Sequence, residues 1–221
     1  MKLYRCSLIA MLLPGLPLCG QFGHWEGTIG PPGREAAVHV DLASVDGKPV
    51  GTISMPGEKL KGVPVRDITV EGGMVAFSAR EDQPFVGKVT ADGKSMVGEV
   101  MAEGHEIPVS LTRTGDASIE THVWTTAAGK ELEGTWNGSV NGGAAVRLHM
   151  TSRSGNIVNV SEGGLEIPVS SFTRNGSSIT LDLKAIGASW TGELNREGTE
   201  LSGILREGDR SLPVKFLKAS E

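Results

Sequence analysis

Cysteine is nearly absent from this chain. The only two, Cys6 and Cys19, both lie near the N-terminus, so the rest of the sequence contains no pair that could form a disulfide or a thiolate metal site. Aromatic residues make up only 5% of the chain and include a single tyrosine. The fold must therefore be stabilised by aliphatic packing around a few aromatic rings, without covalent cross-links.

Positive charge is in the minority. The chain has 21 Lys and Arg against 26 Asp and Glu, which gives a formal net charge of −5. Nucleic acids and anionic membrane surfaces are usually bound through basic patches, so we expect no nucleic-acid partner. After the N-terminal stretch there is no apolar run long enough for a membrane span, and we expect no transmembrane segment.

The N-terminus is typical of an export signal. Lys2 and Arg5 precede an apolar stretch over residues 8–18, which is too short to cross a bilayer. We predict a cleaved signal peptide over residues 1–20 and a periplasmic or secreted location.

A lipid anchor at Cys19 is the alternative to simple cleavage. Residues 16–20, Leu-Pro-Leu-Cys-Gly, have the outline of a lipobox. Leu18, however, is bulky where such sites carry a small residue, which favours simple cleavage.

The rest of the chain contains an internal repeat, in which the same landmarks return about 105 residues further on. The corresponding pairs are Trp25 with Trp136, Pro64 with Pro168, Phe85 with Trp190, and Pro108 with Pro213. Constant order with small drifts in spacing indicates a tandem duplication with loop-length changes. We predict a first unit over residues 22–114, a linker over 115–131 and a second unit over 132–221.

Each unit is predicted to be all-β. The 31 glycines and 11 prolines punctuate short runs that alternate apolar with polar residues, as in residues 38–42 and 146–150, and no window has a sustained helical period. We count seven or eight short strands per unit. Two tandem small antiparallel β-barrels with a lipocalin- or avidin-like meander are favoured, with β-sandwiches as the alternative.

The repeated aromatics and prolines have a structural interpretation. Each aromatic, at positions 25, 85, 136 and 190, stands two residues before a glycine, which favours a core ring packed beside that glycine over a sugar-binding surface. The prolines are predicted at strand starts or edges, where no ladder donor is needed. Trp124, in the linker, lies outside the repeats, so we predict it to be the most exposed aromatic and a candidate interface residue. Packing of Trp124 against one of the barrels is the other interpretation.

The landmarks together resemble a known family. They are Gly-His-Trp-Glu-Gly at 23–27, Gly-Val-Pro-Val at 62–65, Phe-Val-Gly at 85–87, Val-Gly-Glu-Val at 97–100 and the stretch 103–111. In this order they resemble the β-rich accessory domain that precedes the α/β-hydrolase (serine aminopeptidase-like) domain of some exported bacterial enzymes, here in two copies and with no hydrolase domain following. The resemblance implies an exported, non-catalytic β module and carries over no catalytic residue.

The residues themselves indicate no catalytic, cofactor or metal site. A Gly-x-Ser-x-Gly nucleophile elbow is missing, and the five histidines lack the spacing of a metal motif. In the repeat alignment Arg147 takes the place of His39 and His149 that of Asp41, so His39 and His149 are interpreted as two unrelated surface histidines. Acid pairs such as Glu131 with Glu133 stand in turn-like stretches and are expected to be solvated.

Three functions remain open at this stage. The preferred one is a non-catalytic binding protein whose partner is another protein, an envelope component or a small apolar ligand. The second is a small-molecule carrier of the calycin kind, because an eight-stranded barrel can hold one small ligand. The third is a hydrolase acting on the envelope, or an accessory to one.

Overall fold

The computed structural model describes residues 20–220. The predicted signal peptide, apart from Gly20, and the alternative lipid anchor at Cys19 lie outside the described residues. Within them the prediction of an all-β protein is confirmed. The strands of the first sheet are β1 (Gly23–Ile29), β2 (Ala36–Val45), β3 (Lys48–Met55), β4 (Leu60–Pro64), β5 (Arg66–Glu71), β6 (Met74–Ser78), β7 (Pro84–Val89), β8 (Ser95–Ala102) and β9 (His105–Gly115).

The second sheet has the same number of strands. They are β10 (Gly134–Val140), β11 (Ala144–Met150), β12 (Gly155–Asn159), β13 (Leu165–Pro168), β14 (Ser171–Asn175), β15 (Ser178–Leu183), β16 (Ala188–Leu194), β17 (Glu200–Glu207) and β18 (Arg210–Lys218). Short 3-10 turns lie at Pro56–Glu58, Val160–Glu162 and Lys184–Ile186.

Both sheets are antiparallel meanders rolled into barrels. Their strand orders are β4-β3-β2-β1-β9-β8-β7-β6-β5 and β13-β12-β11-β10-β18-β17-β16-β15-β14. The first and last strands of each unit pair with each other, so the ladder is interrupted only between β4 and β5, and between β13 and β14. The hydrogen bonds from Val65 N to Gly51 O and from Val169 N to Gly155 O extend the β3–β4 and β12–β13 ladders by one residue, up to these breaks. Two tandem barrels are thus the observed architecture.

Each sheet has nine strands, more than the seven or eight expected. Only Val65 separates β4 from β5, and no glycine or Asn-Gly turn signal marks that break. The sequence therefore predicts one longer strand in place of β4 and β5.

Alternation along the strands builds the two cores, as predicted. Trp25, Trp136 and Trp190 are fully buried and Phe85 is 2% exposed. The prediction that the repeated aromatics belong to the core is confirmed.

The prolines lie at positions where a strand has no hydrogen-bonded partner strand on one of its two sides. Pro64 and Pro168 end the edge strands β4 and β13. Pro108 lies within β9 but just past the last residue that pairs with β1, and its carbonyl accepts from Gly30 N at 2.9 Å. Proline has no backbone N–H, and at each of these positions no hydrogen bond between strands would have used one.

Glycine is required beneath two of the buried rings. A Cβ at Gly192 would lie 2.4 Å from Trp190 Cζ2 and 2.5 Å from Ser202 O, and a Cβ at Gly87 would lie 2.4 Å from Phe85 Cζ. We therefore expect Gly192→Ala to lower the free energy of unfolding by about 2–3 kcal/mol through overpacking, as measured by urea denaturation. Gly143→Ala is the control, because its Cβ would meet only Val140 O at 3.9 Å. Equal stability of both variants would contradict this account of the aromatic-x-Gly motif.

The two barrels pack against each other through their interrupted edges. Val63 on β4 is fully buried and belongs to the hydrophobic cluster of the second barrel, with Leu60 and Ala79 packed against that cluster. Arg66 Nη2 donates to Gly164 O at 2.6 Å. The contact is therefore an apolar centre flanked by polar contacts.

This interface is nearly symmetric in the repeat. Strand β4 contacts both β13 and the 3-10 turn Lys184–Ile186, while Glu81 N, in the connection that corresponds to that turn, donates to Gly163 O at 2.8 Å. Each unit thus offers the same two segments to the other. An isologous dimer interface has this exchange of equivalent surfaces.

Candidate functional site

Trp124 is the one side chain that the sequence marked as an interface candidate. Its ring is only 2% exposed, stacks on Phe172 with the ring centroids 5.0 Å apart, and donates from Nε1 to Val169 O at 2.9 Å. The predicted exposure is therefore wrong. The alternative, packing against one of the barrels, is confirmed.

The linker around Trp124 follows both barrels closely. Ser118 N donates to Asp41 Oδ1 on the first barrel at 2.8 Å. Trp124 N donates to Arg153 O at 2.7 Å, and Ala128 N to Ser152 O at 2.9 Å, both on the second barrel. The linker consequently forms part of both barrel surfaces.

The interior of the second barrel contains an apolar cavity of about 100 Å³. Aliphatic side chains from several strands line it, together with the rings of Trp190 and Phe216 and the side chain of Asn159. No residue of this lining is ionisable. The cavity can therefore hold an apolar group but offers no acid, base or nucleophile for catalysis.

Two buried polar atoms of this lining have no hydrogen-bond partner among the described residues. They are Trp190 Nε1, a donor, and Asn159 Oδ1, an acceptor. Buried polar atoms are nearly always paired, so an unpaired one needs an explanation.

The other tryptophans show how unusual Trp190 is. Trp25 Nε1 donates to Gln21 O at 3.2 Å, Trp136 Nε1 to Leu132 O at 2.9 Å, and Trp124 Nε1 to Val169 O. All four tryptophans lie within the described residues, and Trp190 alone keeps a free N–H.

The first barrel carries apolar residues at both corresponding positions. Phe85 aligns with Trp190, and Met55, which precedes the 3-10 turn Pro56–Glu58, aligns with Asn159, which precedes Val160–Glu162. Phenylalanine and methionine have neither an N–H donor nor an amide oxygen. The unpaired donor and acceptor are therefore specific to the second barrel.

A second cluster of polar residues lies on the outer face of the first barrel. Because Trp25 points inward, its neighbours His24 and Glu26 on β1 point outward, and they pair across the ladder with Asp41 and His39 of β2. His24 Nδ1 donates to Asp41 Oδ1 at 2.9 Å, and His24 Nε2 lies 3.2 Å from Glu26 Oε1. One ligand atom each from His24, Glu26 and His39 lie within 4.8 Å of one another.

Asp41 controls the electrostatics of this cluster. Its hydrogen bond is the main reason why the pKa of His24 is raised above its ordinary value, and Glu26 adds to the effect. Asp41 itself is only 8% exposed and is held by Ser118 N.

The interpretation of His39 as an isolated surface residue is wrong, because the strand pairing brings it next to His24, Glu26 and Asp41. The signal was His-x-Glu in one strand followed by His-x-Asp in the next, because residues two apart in a strand share a face.

Acid pairs such as Glu131 with Glu133 and Glu81 with Asp82 stand in turn-like stretches of the sequence and are expected to be solvated. Glu131 forms an ion pair with Arg174, which is the main cause of a lowered pKa for the Glu131 carboxyl. Glu81 is 74% exposed and pairs with Arg66 at 3.1 Å. The expected solvation is confirmed for Glu131, Glu81 and Asp82, whereas Glu133 is half-buried.

Few known proteins are similar to this chain. Neither a protein-family model nor a curated protein matches the chain. One similar solved structure is the crystal structure of a protein of unknown function from the DUF3598 family of Nostoc punctiforme. It shares 13% sequence identity over 91% of this chain and 97% of that chain, with a TM-score of 0.29. The resemblance to hydrolase accessory domains stays a prediction.

Helices are short throughout the described part of the chain. Between residues 20 and 220, none is both long and apolar enough to cross a membrane.

Proposed function

We propose that this protein is an exported, non-catalytic binding protein that holds the apolar end of a small molecule inside its second barrel. The observation that carries the proposal is the pair of unpaired buried atoms, Trp190 Nε1 and Asn159 Oδ1, in the lining of an otherwise apolar cavity. Ligand pockets are typically apolar with a few polar groups that fix orientation. Export rests on the predicted signal peptide.

The size of the cavity limits what enters it. A cavity of about 100 Å³ is smaller than the roughly 300–1,000 Å³ of pockets that enclose a drug-sized ligand, and benzene fits a cavity of about 150 Å³. The occupant is therefore smaller than a benzene ring: a short alkyl chain with one polar atom, such as a hydroxyl or carbonyl, that bonds Trp190 or Asn159.

A larger molecule has room beyond the cavity. Ile186 lines both the cavity and a groove of about 530 Å³ that Lys59 of the first barrel and Arg210 of the second also line. The polar remainder of a ligand would lie in this groove while its apolar end occupies the barrel.

NMR titration of the purified protein tests the proposal, with butanol and hexanol as probes. We expect at least one probe to shift the indole N–H signal of Trp190 saturably, since this donor gains an acceptor. The indole signals of Trp25, Trp124 and Trp136 serve as internal controls, because their donors already have backbone acceptors.

Two variants taken from the first barrel make the test specific. Trp190→Phe identifies the signal, and Asn159→Met removes the free acceptor; each introduces the side chain that the first barrel carries at that position. We expect Asn159→Met to weaken binding of the alcohols by about tenfold, the effect of losing roughly 1.4 kcal/mol of hydrogen bonding. If no probe shifts Trp190, or if both variants bind the probes as the parent does, the proposal fails.

A further inference from the structure

We propose that His24, Glu26 and His39 on the outer face of the first barrel form a binding site for a divalent transition-metal ion such as Zn²⁺ or Cu²⁺. This inference is independent of the ligand proposed for the second barrel, since the two sites share no residue. It rests on the geometry of two neighbouring strands.

The ladder fixes these side chains next to one another. His24 pairs with Asp41 and Glu26 pairs with His39 across β1 and β2, and directly opposed residues have Cβ atoms about 4.5–5.5 Å apart. The four side chains thus form a compact block on a rigid part of the barrel, which positions ligands better than a loop does.

The distances are close to those of a coordinated ion. Zinc binds histidine nitrogen at about 2.0–2.1 Å and carboxylate oxygen at about 2.0–2.2 Å, so ligand atoms around one tetrahedral ion lie about 3.3–3.5 Å apart. Here the three ligand atoms lie within 4.8 Å of one another. Small side-chain rotations, by roughly 1 Å at each tip, bring them onto one ion.

The orientation of the two imidazoles also suits a shared ion. Their centroids are 5.9 Å apart and the rings are inclined by 75°, so they are not stacked against each other. Two imidazoles and a carboxylate form a ligand set that favours zinc, copper, nickel or iron over magnesium or calcium.

Asp41 acts as a positioning residue for this site. It accepts from His24 Nδ1, which leaves Nε2 to face the ion, and it is itself fixed by Ser118 N. Metal-binding histidines nearly always donate their second nitrogen to a carboxylate or carbonyl in this way. The linker therefore contributes to the site through Ser118.

The second barrel lacks the site and supplies matched variants. Thr135, Asn137, Arg147 and His149 occupy the corresponding positions, where Arg147 Nε donates to Asn137 Oδ1 at 3.3 Å. Glu26→Asn and His39→Arg therefore introduce residues that the same strand pair already accommodates in the other barrel. We expect both variants to fold normally.

Metal titration of the untagged full chain tests the inference. The chain carries Cys6→Ser and Cys19→Ser so that thiolates do not bind the ion, and Zn²⁺ binding is followed by competition with a chromogenic chelator. We expect one ion per chain, with affinity lowered in Glu26→Asn and in His39→Arg by at least the roughly tenfold to 100-fold that loss of an outer-shell partner costs. His149→Ala, which removes an exposed histidine of the second barrel, should bind as the parent does.

Electron paramagnetic resonance with Cu²⁺ identifies the ligands directly. Two nitrogen ligands are expected in the parent and one in His39→Arg. Failure to bind either ion saturably, unchanged affinity in both first-barrel variants, or a matching loss in His149→Ala would overturn the proposal.

Discussion

Replacing Trp124 with alanine is expected to lower the free energy of unfolding of the second barrel by about 3–5 kcal/mol, the range for truncating a buried aromatic ring. The ring stacks on Phe172 and covers Gly155, whose Cβ, if present, would lie 2.9 Å from it. Truncation leaves a cavity at this place and also deprives Val169 O of its indole donor. Urea denaturation followed by far-UV circular dichroism measures the loss.

Two further substitutions separate packing from other effects. Trp124→Phe keeps an aromatic ring but removes the N–H, so we expect an intermediate loss. Val123→Ala changes the neighbouring side chain, which is 62% exposed, and should stay within about 0.5 kcal/mol of the parent. Trp124→Ala with unchanged stability would instead mark the ring as dispensable for the barrel and return it to the interface role that the sequence indicated.

Trp124 also shows what sequence patterns can miss. It lies outside the repeats and in no alternating run, so no periodic pattern indicated whether its side chain is buried. The residues that it contacts, from Arg153 to Phe172, lie 29 to 48 positions further along the chain, and only the fold brings them together. The burial of the repeated tryptophans, in contrast, was predicted from the glycine that stands two residues after each of them, and it is confirmed.

The two candidate sites, the His24 cluster and the cavity of the second barrel, could not be predicted from the sequence for a different reason. The His24 cluster depends on the register between β1 and β2, because a shift by one residue would turn His39 and Asp41 to the opposite face. The cavity depends on β12 and β16, which are not neighbours in the sheet. Strand existence could be predicted from local sequence, whereas register and cross-barrel contacts could not.

Differences between the two units coincide with the candidate sites. The shared strand order supports the predicted duplication, and the equivalent core positions are filled by similar residues. Where the first barrel has Phe85, the second has Trp190, which adds an N–H donor to its cavity. Where the second barrel has Arg147, the first has His39, which completes the proposed set of metal ligands. Each unit therefore serves as the natural control for the other.

The interface between the barrels has the second large expected effect. Val63→Asp should separate the barrels while leaving each one folded. Val63 is fully buried within the cluster of the second barrel, and a buried carboxylate without a cationic partner costs several kcal/mol. Strand β4 is an edge strand whose ladder to β3 does not depend on the second barrel. Separation of the barrels therefore exposes the carboxylate to water without breaking the fold of either barrel.

Separation would be visible in both shape and cooperativity. We expect the radius of gyration from small-angle X-ray scattering to rise and a single unfolding transition to split into two, because coupling through the interface is lost. Lys61→Asp, which places the same side chain at an exposed position of the same strand, should leave both measurements unchanged. If Val63→Asp also kept one transition and the parent's radius of gyration, Val63 would not be coupling the barrels. Loss of both barrels together would show that neither folds without the interface, and the groove lined by Lys59 and Arg210 would then be an obligatory part of the fold.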